Sequence, residues 1–118
     1  MRVLICGDRN WVDEGTIEDY IKALPPGSIV IQGFCKGADK IARRLAQKHG
    51  YSILDFPAKW NRYGRGAGPI RNKQMLDEGK PDLVVAFHND LSRSKGTADM
   101  IKQARKQSIP VEVRGSDK

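Results

Sequence analysis

The sequence predicts an α/β domain: a doubly wound parallel sheet of about five strands, in the order 3-2-1-4-5, with helices on both faces. Three observations predict it. Short apolar runs rich in Val, Ile and Leu recur along the 118 residues without the polar alternation of a half-exposed strand, the pattern of strands buried on both faces. The runs alternate with stretches of helical apolar spacing, which makes a parallel sheet covered on both sides. Right-handed crossovers and short connections then leave a Rossmann-like strand order. No repeat or linker interrupts the pattern, and the length suits one domain over residues 1–118.

Residues 2–6 (RVLIC) read as the first strand, running into the polar stretch Gly7-Asp-Arg-Asn-Trp11. Asp13 caps a helix with Ile17, Tyr20, Ile21 and Leu24 on one face, and Pro25-Pro26-Gly27 stops it. Residues 28–32 (SIVIQ) are the second strand. The next helix stacks Ala38, Ile41, Ala42, Leu45 and Ala46 in one stripe. It turns Lys40, Arg43, Arg44, Gln47 and Lys48 outwards and ends at Gly50. Residues 51–56 (YSILDF) form the third strand, closed by Pro57.

The stretch from Tyr63 to Met75 (YGRGAGPIRNKQM) reads as a flexible glycine-rich loop entering a helix near Pro69. The missing proline N–H costs nothing at the first helical position. Arg71 then falls in the first turn, where a cation opposes the helix dipole unless an anion offsets it. Only Ile70, Met75 and Leu76 anchor this helix, so its surface predicts a partner. A homo-oligomer, most simply a dimer, is expected, and its interface would account for Met75 and Leu76 if they are exposed in the monomer. Residues 82–88 (DLVVAFH) are the fourth strand, Gly96-Thr97 opens the last helix, and residues 110–113 form an edge strand before a tail expected to fray.

Net charge is +7, which fits an anionic partner: nucleic acid, nucleotide or acidic protein. No apolar run is long enough for a membrane span, and the N-terminus has no signal-peptide pattern, so no membrane partner and a cytoplasmic location are expected. Cys6 and Cys35 are the only cysteines, too few for a zinc site of usual spacing. No metal and no cofactor is predicted.

In such a sheet a ligand binds beyond the carboxyl ends of the strands where their order reverses, here between strands one and four. The loops at that edge carry Arg9, Lys36, Lys59, Arg62, Arg65, Arg93 and Lys95 against Asp8, Asp39 and Asp90. With glycines and helix N-termini this describes a phosphate site. Trp11, Trp60 and Tyr63 lie on the same edge and could stack on a base. Asp39 reads first as a helix-stabilising acid and second as a ribose acceptor. His88 reads as a packed or solvent-facing residue.

Several motifs carry a family resemblance: Gly7-Asp-Arg-Asn-Trp11, Gly37-Ala-Asp39, Phe56-Pro-Ala-Lys-Trp60, Tyr63-Gly-Arg65, Ala67-Gly-Pro-Ile-Arg-Asn72 and Ser94-Lys-Gly-Thr-Ala-Asp-Met100. Over nearly the whole chain they resemble the YspA/cpYpsA-related family of the SLOG superfamily, named after DprA (Smf) and the Lonely Guy enzymes and found in bacteria and their phages. The resemblance implies a Rossmann-like fold that binds a nucleotide or nucleotide-derived ligand. It places Gly33, Gly37, Arg71, Asn72, Gly96 and Thr97 in the binding site, with Gly7 and Arg9 lining the crevice and Asp39 meeting ribose.

The DprA signature Ser-Gly-Gly-Ala-Arg-Gly-Ile-Asp is kept here at Gly33, Gly37 and Asp39, with Lys36 as the basic residue. Lonely Guy enzymes cleave nucleoside monophosphates with an Arg, whose counterpart is Arg71, and the Glu of Pro-Gly-Gly-x-Gly-Thr-x-x-Glu. Gly96-Thr97 match the Gly-Thr, but Met100 stands where the Glu falls. The catalytic candidates are therefore Arg71 and, one position off, Asp99. The enzyme alternative is an N-glycosidase acting on nucleoside monophosphates. A third reading is DprA-like single-stranded nucleic-acid binding, expected to be weak and salt-sensitive because cations spread over loops and helices neutralise phosphates without reading bases.

Overall fold

The computed structural model describes residues 1–116. Strands β1 (Arg2–Gly7), β2 (Ile29–Gln32), β3 (Ser52–Asp55), β4 (Leu83–Phe87) and β5 (Val111–Arg114) form one all-parallel sheet in the order β3-β2-β1-β4-β5. This is the predicted order. Of the tail expected to fray, Ser116 donates its N–H to Asn89 Oδ1 at 2.7 Å and its hydroxyl to Asp13 Oδ2 at 2.8 Å; residues 117 and 118 lie outside the described residues.

The continuous apolar runs are explained by a side-chain period of two with both faces covered. From β1, Val3 and Ile5 enter a core with Val30, Val85 and Phe87 beneath α1 (Glu14–Lys22) and α2 (Ala38–Lys48). Leu4 and Cys6 point the other way, into a core with Ile31, Val84 and Ala86. Beyond the short α3 (Trp60–Tyr63), the helices α4 (Ala67–Gly79) and α5 (Lys95–Lys106) cover that second core. Asp13 caps α1 as expected, accepting from the Thr16 N–H at 3.4 Å and hydroxyl at 2.7 Å. That helix ends at Lys22, ahead of the prolines.

Three expectations are corrected. The glycine-rich stretch is not a loop: α3 and a 3₁₀ turn at Gly64–Gly66 run directly into α4, which starts at Ala67. Pro69 is still in the first turn, where its lack of an N–H is harmless, but Arg71 moves to the second turn. Next, Met75 and Leu76 are buried in the second core; of the three anchors only Ile70 is exposed. Finally, Trp11 is 5% exposed, packs edge-on against Phe87 with ring centroids 5.7 Å apart, and donates its indole N–H to the Asp13 carbonyl at 2.7 Å. It is a core residue and is not free to stack on a base.

Candidate functional site

The carboxyl ends of β1 and β4 open onto a crevice of about 350 Å³. Its walls come from the loop after β1 (Gly7, Asp8, Arg9, Asn10), the start of α4 (Gly68, Arg71, Asn72) and the β4–α5 connection (His88, Arg93 to Thr97). Cys6, Met75 and Met100 close the bottom, and Trp60, half-exposed, stands on the rim. Of the cations expected at this edge, Arg9, Arg93 and Lys95 line the crevice and Lys36, Lys59, Arg62 and Arg65 do not. Tyr63 faces a separate groove beside Pro57 and Ile70.

The α5 end of the crevice is the start of a helix. Ser94 caps the helix by accepting the Thr97 N–H at 3.3 Å, and its carbonyl accepts from Ala98. The N–H groups of Lys95 and Gly96 are left without a partner among the described residues, at the positive end of a 12-residue helix. A Cβ on Gly96 would meet nothing within 4 Å. Neither packing nor conformation demands glycine there.

The opposite end is held by Arg71, 9% exposed. Its Nη1 donates to the carbonyl of Gly33 at 2.7 Å and reaches that of Phe56 at 3.5 Å; its Nε donates to Asn72 Oδ1 at 3.0 Å. Asn72 Nδ2 then donates to the Gly96 carbonyl at 3.2 Å and to Asp99 Oδ2 at 2.9 Å, which also accepts from Gln103 at 2.8 Å. This chain ties the β2–α2 loop through α4 to the first turn of α5. Asp99 supports Asn72 through this bond and is absent from the crevice wall.

Asp39 is 6% exposed and lines the crevice. Its Oδ2 accepts the N–H groups of Gly33 at 3.0 Å and Cys35 at 3.5 Å, closing the loop it follows, while Oδ1 has no partner among the described residues. Burial pushes its pKa up to about 6, against the pull of Arg71 and the two backbone N–H groups. Burial likewise pushes the Cys6 thiol well above its ordinary value, so Cys6 is an inert floor residue.

Gly33 and Gly37 do not line the crevice. The N–H of Gly33 is taken by Asp39 and its carbonyl by Arg71, and a Cβ there would strike the guanidinium. Gly37 has φ +83°, and a Cβ would strike the backbone of Asp8 and Arg9, whose loop it supports. Both glycines permit close packing of the walls. His88, read from sequence as a bystander, is on the wall; the only signal for it was its place at the carboxyl end of a strand beside the switch point.

The strand order and the position of the crevice define a Rossmann-like domain whose pocket sits at the topological switch point. The model of the YspA, cpYpsA-related SLOG family matches residues 1–63. The Gene 61 protein of Mycobacterium phage D29 is 37% identical over 119 aligned residues, covering 93% of each chain. The chain belongs to the YspA, cpYpsA-related SLOG family. Among solved structures it is similar to DNA processing protein A (DprA) from Streptococcus pneumoniae, with a TM-score of 0.59 and 16% identity. That likeness covers 96% of this chain but 58% of the other, and at this identity it shows the fold alone.

Proposed function

We propose that the domain binds a nucleotide or nucleotide-derived ligand as a sensor or binding module, with phosphate at the α5 end of the crevice and ribose near Asp39. The observation that supports this reading is the pair of open N–H groups at Lys95 and Gly96, flanked by Arg9, Arg93 and Lys95 on the same crevice. Asp39 Oδ1 is the acceptor at the other end, suited to a ribose hydroxyl. Trp60 on the rim is the one predicted stacking residue that meets the crevice.

A charge-assisted contact contributes about 1.5–3 kcal/mol, so AMP should bind at least about tenfold more tightly than adenosine. Titration calorimetry with GMP and guanosine, and CMP and cytidine, as parallel pairs tests it. Equal affinities within each pair would remove the phosphate site.

Hydrolysis is expected to be absent or slow. N-glycosidic cleavage develops positive charge on the ribose, which a carboxylate stabilises. Met100, at 1% exposure on the crevice floor, offers a thioether in its place. Chromatography of base released from the three monophosphates is the check. Rapid release would turn the reading to an N-glycosidase and make Asp39 its carboxylate.

A further inference from the structure

His88 is a polar group that the nucleotide reading leaves unused. It follows β4 at the crevice wall and is 6% exposed. Its Nδ1 accepts the N–H of Asp90 at 3.0 Å. A backbone amide only donates, so Nδ1 carries no proton and the neutral ring holds its proton on Nε2. Nε2 has no partner among the described residues. Yet no buried side-chain nitrogen or oxygen among them is left unsatisfied, so Nε2 keeps contact with open space.

A donor held in a buried ring with nothing to accept from it costs free energy unless a ligand or water does so. On the same wall lie the N–H groups of Lys95 and Gly96, the side chains of Arg93 and Lys95, and the hydroxyls of Ser94 and Thr97. Every one of these groups can donate. The chemistry that satisfies them together is an oxyanion with several acceptor oxygens and no proton to give.

We infer that His88 is a ligand-binding residue, whose Nε2–H donates to the phosphate group seated on the first turn of α5. The inference rests on the nucleotide reading above and adds a neutral, directional donor to what had been a site of charges and helix amides. A point charge such as Lys95 attracts any anion, whereas a fixed Nε2–H rewards one oxygen position.

The competing role for His88 is to anchor the loop through Asp90, and two variants separate the roles. In His88→Gln the amide nitrogen falls near the position of Nε2, keeping the donor and giving up the Asp90 acceptor. In His88→Asn the amide oxygen falls near Nδ1, keeping the acceptor and giving up the donor. Calorimetry with AMP should show His88→Gln within about threefold of wild type and His88→Asn weaker by about tenfold or more. In the ¹⁵N-histidine-labelled wild type, AMP should move the Nε2 resonance while Nδ1 stays unprotonated.

The reverse order of affinities, or His88→Asn binding AMP as wild type does, would make His88 a loop anchor and overturn the inference while leaving the nucleotide site standing. A wild type that binds neither AMP nor inorganic pyrophosphate would overturn the nucleotide reading and this inference with it.

Discussion

Gly7→Ala should destabilise the protein by about 3 kcal/mol or more, enough to lower Tm by roughly 10–20 °C. Gly7 ends β1 opposite Phe87 in the parallel ladder with β4, at φ +154°. An added Cβ would land on the Phe87 carbonyl oxygen and lie 2.9 Å from the Phe87 nitrogen and carbonyl carbon. These are backbone atoms, so no rotamer change relieves the clash. The same carbonyl accepts the Asp8 N–H at 2.9 Å, the bond that turns the chain into the crevice wall. Phe87 cannot retreat, because Trp11 and Tyr20 pack on its ring at 5.7 and 5.9 Å. Gly96→Ala is the control: its Cβ meets nothing and its φ is ordinary, so stability should be unchanged or slightly raised. Chemical denaturation of the pair decides it, and a Gly7→Ala midpoint matching wild type would mean that β1 and β4 part easily at the crevice.

The sheet was legible because its signal is local and repeated: each strand is an apolar run, and the alternation with helices leaves few topologies. The location of the site followed from the topology, since a doubly wound sheet has one switch point. The partners within the site were not legible, because they depend on contacts between distant segments. Gly33 and Gly37 look like phosphate-loop glycines, but each is required by a neighbouring wall, Arg71 in one case and residues 8–9 in the other. Trp11 lies in a polar stretch, and only the fold brings Phe87 beneath it. The glycines at 64, 66 and 68 argued for flexibility, whereas α3, the 3₁₀ turn and α4 absorb them as helix. Phe34 shows the converse. It has φ +60° where the DprA signature carries glycine, and the bulky residue is held there by its N–H donating to Gln32 Oε1 at 2.6 Å.

Asp39 should make the wild type lose stability as pH rises from about 4 to about 6. Its folded pKa is about 6 against an ordinary 3.8, with burial the main cause and Arg71 and the N–H groups of Cys35 and Gly33 opposing it. The folded state therefore holds this proton more tightly than the unfolded chain. The stability from protonated Asp39 is complete below about pH 4 and is lost as pH rises to the folded pKa. A shift of about two units corresponds to about 3 kcal/mol. Exposed carboxylates act in the opposite sense: hydrogen bonds from His49 and Lys48 lower Glu18 to about 2, and Asp77 and Asp90 are also lowered. Their contribution grows with pH, but below about 4.5, a window lying mostly under that of Asp39. Asp39→Asn isolates the effect, since the amide oxygen can still accept the Gly33 N–H and the charge is gone. Relative to wild type, the variant should gain up to about 3 kcal/mol between pH 4 and pH 7, read from urea midpoints at each pH. If the difference between the two proteins stays flat over that range, Asp39 is not held protonated by burial, and the crevice is wetter at that end than its walls imply.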